Sequence, residues 1–250
     1  MNSLTERSKG FTMKRASILG ALVLAVTGCG TTAPAPCQIQ SASNGGYAVR
    51  LLRTPGQTIT PACDTPTGTP AQIGDSWIFD VYETDPTNTA VFSVIGYSAN
   101  LGLPEPNVGS SPLYARAQFT TVNPAADSTC ALANATMNAG TTGGRYAIAN
   151  WIWQETAVYL GTEFKADVTY TVGACSATYA AQAITPPVQC GANKDCDPFG
   201  QPFSSGINPD YNQNCIIGQA WTTQLTGDAT VGICFFQEAF PSIGGYKSGT

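Results

Sequence analysis

The sequence predicts an all-β fold, a β-sandwich, with the jelly roll as its candidate form, and a small disulfide-rich appendage at its C-terminal end. Three observations carry this. Short runs with β-rich, period-two patterning recur along the middle of the chain. Turn formers bound them, with 26 Gly and 17 Pro among 250 residues. Eight cysteines beyond residue 30 supply staples, four of them crowded between Cys190 and Cys234.

Taken in order, Trp77–Tyr82 and Ala90–Ile95 are β-rich runs between Gly, Pro and Asn, and Tyr114–Val122 alternates in the same way. Ala125–Ala139 holds helix-tolerant residues and reads as one short helix. Arg145–Leu160 is open to either periodicity, but its Ile, Trp, Tyr, Val and Thr favour strand. Phe164–Val172 alternates cleanly, and Ser176–Ile184 follows as its partner. Many short strands with turn signals between them argue for a sandwich spanning residues 46–185. Pro186-Pro187 then ends the apolar periodicity. Residues 186–250 read as an appendage with too little core of its own, dependent on disulfides and on packing against the sandwich.

Composition excludes several functions. Only 11% of residues are charged, and 11 Lys and Arg face 16 Asp and Glu for a net charge of −5. Nucleic acid is therefore not an expected partner, because phosphate binding needs clustered cations. The sequence contains no histidine, which removes Ser-His-Asp and Cys-His nucleophile chemistry and His-ligated zinc.

The amino terminus carries the sharpest motif. Met13-Lys14-Arg15 is a basic n-region, Ile18–Val26 an apolar stretch too short to span a bilayer, and Val26-Thr27-Gly28-Cys29 closes it. Glu6 upstream is out of place in an n-region and points to Met13 as the true start. The pattern resembles the lipobox of bacterial lipoproteins. That resemblance implies removal of residues 1–28, acylation of Cys29 and retention at the outer membrane, since Gly30 rather than Asp follows the cysteine. Several acyl chains anchor stably where one would not. The processed chain has 222 residues with 7 basic and 15 acidic groups. Residues 29–45 read as a lipidated tether.

Cys37, Cys63, Cys130, Cys175, Cys190, Cys196, Cys215 and Cys234 form an even set, read as a disulfide framework of up to four bridges. Eight cysteines allow 105 connectivities. Locality suggests Cys37 with Cys63, Cys130 with Cys175, and a closed set among the last four. Five residues separate Cys190 from Cys196, wider than zinc motifs use; no metal or other cofactor is expected.

Other candidate sites have two readings each. Asp210, Asn212 and Asn214 alternate like the first ligands of an EF-hand loop, but Cys215 and Trp221 stand where its glycine and bidentate glutamate belong. Asn and Asp near Pro and Gly also simply make turns. Trp151, Trp153 and Glu155 share a strand face and would line a sugar-binding surface if exposed, or core if not. Asp75, Asp80 and Glu83 near Trp77, and Glu163 and Asp167 near the tryptophan pair, supply carboxylates, but no glycosidase spacing is evident. An enzyme is not expected.

The lipobox, the His-free acidic body and CGANKDCDPFGQ…SGINPD (Cys190–Asp210) resemble cysteine-rich outer-membrane lipoproteins of myxobacteria, nearest the contact-dependent gliding-motility lipoproteins. The resemblance rests on about 17 residues at the front and about 45 at the back. It implies a non-enzymatic structural or adhesive part of a surface apparatus, working through protein contacts. Cys29 is the one functional residue it carries over. A carbohydrate-binding surface module is the alternative, with a glycan as partner.

Overall fold

A computed structural model describes residues 37, 39, 46–83, 92–99, 115–138, 143–155, 161–200, 205–236 and 239–242. Residues 1–28, which include Met13 and read as a signal peptide by sequence, Cys29, the Gly30–Pro36 segment, Ala90, Val91 and Tyr114 lie outside them. Two compact units divide the chain, Met1–Pro34 and Ala35–Thr250, and all the described residues belong to the second.

The all-β expectation holds. Strands β1 (Tyr47–Arg53), β2 (Gln72–Glu83), β3 (Phe92–Ser98), β4 (Ala115–Gln118), β5 (Thr129–Leu132), β6 (Ala135–Asn138), β7 (Gly144–Gln154), β8 (Glu163–Val172) and β9 (Cys175–Ile184) form one antiparallel sheet in the order β4-β3-β2-β1-β9-β8-β7-β5. β6 pairs with the first half of β7, and β5 with its second half. The sheet curls back on itself. Phe119 bridges Leu132, Thr120 N–H donates to Ala131 O at 2.9 Å, and Ala133 N–H donates to Gln118 O at 2.9 Å, so the continuation of β4 meets that of β5. The two layers that a sandwich needs are thus opposite walls of one closed sheet.

The interior follows from alternation. Tyr47, Val49 and Leu51 point in from β1, Ile73, Asp75, Trp77 and Phe79 from β2, and Phe164, Ala166 and Val168 from β8. β9 contributes mainly small side chains, Ala177, Ala181 and Ala183, which leave room for the indoles opposite; small barrels fill by such mixing of sizes. Trp77, Trp151, Trp153, Phe79, Phe164 and Tyr47 form a continuous aromatic cluster with ring centroids 4.6–6.4 Å apart. Each favourable pair contributes about 0.5–1.5 kcal/mol beyond its area. Gly96, opposite Phe79 in the β2–β3 register, has to be glycine because a Cβ there would enter the Phe79 ring.

The helix expected at Ala125–Ala139 is corrected: the described part of that segment forms β5 and β6, because the open flank of β7 offers a full ladder to pair with. Arg145–Leu160 is strand as far as Gln154, with residues 156–160 outside the description. β7 also carries a bulge. Between Ala149 and Ile152 its register against β8 slips, and Asn150 adopts φ 49°.

The described residues of the appendage form a small sheet, β10 (Gln189–Cys190), β11 (Gln213–Ile216) and β12 (Gly232–Phe236), in the order β10-β12-β11, with a 3-10 turn at Asn193–Cys196 and a helix, α1 (Ala220–Thr226). Its core of Ile207, Tyr211, Trp221, Ile233, Phe235 and Phe236 closes over Ala48 and Ile184 on the outside of the barrel. Gly74 permits this seat, since a Cβ there would collide with the Trp221 backbone.

The disulfides are Cys37–Cys130, Cys63–Cys175, Cys190–Cys215 and Cys196–Cys234. The last four cysteines do form a closed set. The local pairings Cys37–Cys63 and Cys130–Cys175 are corrected, because strand pairing brings distant segments closer than sequence neighbours. In both halves the bridges interleave. Cys37 is buried, and its N–H donates to Val122 O at 2.7 Å, so the tether expected through residue 45 is pinned at Cys37.

Candidate functional site

Trp151 and Trp153 are fully enclosed. The bulge explains why they face inward: Tyr146 and Ile148 point in from the first half of β7, and the extra residue at Asn150 changes the parity so that odd-numbered Trp151 and Trp153 follow them. Asn150 Nδ2 donates to Asp167 Oδ2 at 2.6 Å, tying the bulge to β8. A sugar-binding surface built on these two tryptophans is therefore corrected, since their faces are covered by Tyr47, Phe79 and Phe164.

Of the carboxylates, Glu155 and Glu163 are both buried and both act on Tyr211, while the others stand apart from them. Asp75 lies inside the barrel, where Oδ2 accepts from Trp77 Nε1 at 2.8 Å and Ser98 Oγ at 2.5 Å. Asp80 and Asp167 are exposed, and the Glu83 side chain lies outside the description. Glu163 faces the opposite side of the sheet from Asp75, beneath the appendage.

That outer face carries a polar group which the sequence reading did not single out as a unit. Arg50 on β1, Gln182 on β9 and Lys165 on β8 stand side by side in register. Arg50 Nη2 donates to Gln182 Oε1 at 2.7 Å, and Gln182 Nε2 donates to Glu163 Oε1 at 3.1 Å. Ser242 closes the group from the C-terminal side: its N–H donates to Glu163 Oε2 at 3.1 Å and its hydroxyl to Oε1 at 3.0 Å. The Arg50 guanidinium lies 4.7 Å over Phe235 and 5.8 Å over Trp221, a cation–π contact that fastens appendage to barrel. Burial pulls the Arg50 pKa down and pushes that of Glu163 up to about 7, the latter against hydrogen bonds and the Lys165 charge acting the other way. Burial and the Glu163 charge raise Tyr211, whose hydroxyl accepts from Thr162 Oγ1 at 2.9 Å. The signal for this group was present as polar residues at outward positions of three apolar strands.

Asp210, Asn212 and Asn214 do not form one loop. Asp210 N–H donates to Asn208 Oδ1 at 3.0 Å in a turn, Asn212 N–H donates to Ser242 O, and Asn214 lies within β11 opposite Phe235. Three sulfurs, of Cys190, Cys196 and Cys234, lie within 4.8 Å of one another, and all three belong to disulfides. Asp197 Oδ1 accepts from Phe199 N–H at 2.7 Å, and the turn so formed presents Phe199, 68% exposed. At one end of the barrel, Pro66, Pro70, Ile73, Tyr146, Tyr170 and Gln224 border a cleft of about 280 Å³. No helix among the described residues is long and apolar enough to cross a membrane.

A closed, aromatic-filled barrel bearing a cystine-stapled appendage defines the class: a disulfide-stabilised all-β body. The chain belongs to the MlpA family, whose profile matches residues 45–186, more than half of its length. The match ends where the barrel ends, and it fits the resemblance to myxobacterial lipoproteins. No curated protein and no solved structure matches the chain.

Proposed function

We propose that the protein is held at the outer membrane by an acylated Cys29 and serves there as a structural or adhesive, non-enzymatic part of a surface apparatus. Its partners in this reading are other outer-membrane or surface proteins, in an assembly of the kind that gliding motility or surface contact requires. The observation that supports it is the short reach from anchor to body. Cys37 follows Cys29 by eight residues and is fixed to the barrel through Cys130. Eight extended residues span at most about 28 Å, so the stapled body is kept against the membrane surface. Among the described residues, Phe199, held out on its turn, is the large apolar side chain offered most openly to a partner.

Cys29→Ala is expected to leave the membrane fraction and to lack acyl mass. A mutant that still sediments with the outer membrane overturns the anchor. Crosslinking on intact cells is expected to capture the same surface proteins repeatedly, and less of them with Phe199→Ala. Specific retention on a glycan array, with no protein captured, would favour the carbohydrate reading instead.

A further inference from the structure

The appendage places two disulfides in contact. Cys190, Cys196 and Cys234 hold their sulfurs within 4.8 Å of one another, yet they come from two bridges, Cys190–Cys215 and Cys196–Cys234. Their accessibility differs. Cys190, Cys196 and Cys234 are buried, whereas Cys215 is half-buried on β11, an outer strand of the small sheet. The Cys215 N–H donates to Asn193 Oδ1 at 3.0 Å, which holds this half of the bridge beside the 3-10 turn that carries Cys196. Within the barrel, Cys37–Cys130 is enclosed, and Cys63–Cys175, though half-buried, belongs to no such sulfur cluster among the described residues.

We propose that Cys215 is a thiol-exchange site at which a small external thiol opens one bridge and sets off a rearrangement of the other. Disulfides exchange by attack of a thiolate on one sulfur and departure of the other, at a rate set by access and by the thiolate present. The external thiolate attacks Cys215 Sγ, the sulfur of the less buried residue of the pair. A bond forms between them, the Cys190–Cys215 bond breaks, and its electron pair leaves on Cys190 Sγ. That thiolate is created beside the Cys196–Cys234 bridge. It attacks one of these two sulfurs, forms a new bond to it, and releases the other as a thiolate that takes a proton from solvent. One external thiol is consumed and one protein thiol is produced, so no separate oxidant or reductant is needed. The outcome is a mixed disulfide at Cys215 and a bridge from Cys190 to Cys196 or Cys234.

The test uses the full processed chain, oxidised and folded, incubated with glutathione. Samples are quenched in acid, unfolded, alkylated and mapped by mass spectrometry. The expected product carries glutathione on Cys215, a bridge from Cys190, and the alkyl group on Cys196 or Cys234. Glutathione on Cys215 with the alkyl group only on Cys190 would overturn the rearrangement. Absence of any adduct on Cys215, while Cys63–Cys175 exchanges, would overturn the site. In Cys215→Ser the free thiol is expected to be shared among Cys190, Cys196 and Cys234; a thiol confined to Cys190 overturns the proposal. Should that variant fail to fold, the wild-type experiment decides alone.

Discussion

Asn150 adopts a left-handed backbone and donates its side-chain amide to Asp167. Few residues tolerate φ near 50°; Asn and Gly do so most readily, β-branched residues least. Asn150→Val is therefore expected to lower stability by about 2–3 kcal/mol, and Asn150→Gly by about 1 kcal/mol through the lost hydrogen bond, read from denaturant midpoints. Glu163 gives a pH signature. Its folded pKa of about 7 lies above an unfolded value near 4.3, so the native state binds its proton more tightly. That contribution is complete below about pH 4 and lost as pH rises through 7, on the order of 3 kcal/mol. Thermal melts between pH 5 and 8.5 should fall with rising pH, and Glu163→Gln should flatten the fall.

Among the elements, the appendage and barrel depend on each other. α1 and β12 supply Trp221, Phe235 and Phe236, and these are covered by Ala48, Ile184 and the Arg50 side chain on the outside of the barrel. A chain cut at Pro186 should bare that face, including the buried Glu163, and should associate in size-exclusion chromatography where the intact protein does not. Several elements were legible because their signals are local. Trp77–Tyr82, Phe164–Val172 and Ser176–Ile184 alternate, and strands β2, β8 and β9 run there. β5 and β6 were not, since Ala, Asn and Met tolerate helix and only pairing with β7 decides for strand. The inward turn of Trp151 and Trp153 hangs on one bulge, which leaves no periodic trace. The Glu163 group needed three strands and Ser242 to be assembled before it existed, so the outward Arg50 and Gln182 carried only a faint sign of it.

At the scale of the whole molecule, the closure of the sheet removes the long free edges an open sheet would present, and the four bridges then fix how far the chain can be drawn out. Cys37–Cys130 and Cys63–Cys175 interleave. Under tension the shortest covalent route from Cys37 to Cys175 runs through the 26 residues to Cys63 and then across the second bridge, instead of along all 138. An unfolded barrel would therefore yield about 90 Å between those two points, against about 500 Å once reduced. Cys190–Cys215 and Cys196–Cys234 shorten the appendage in the same manner. Single-molecule pulling with and without reductant should measure this difference in extension directly. A body tied to a membrane at one end and loaded at the other would, even when unfolded by force, remain a short leash.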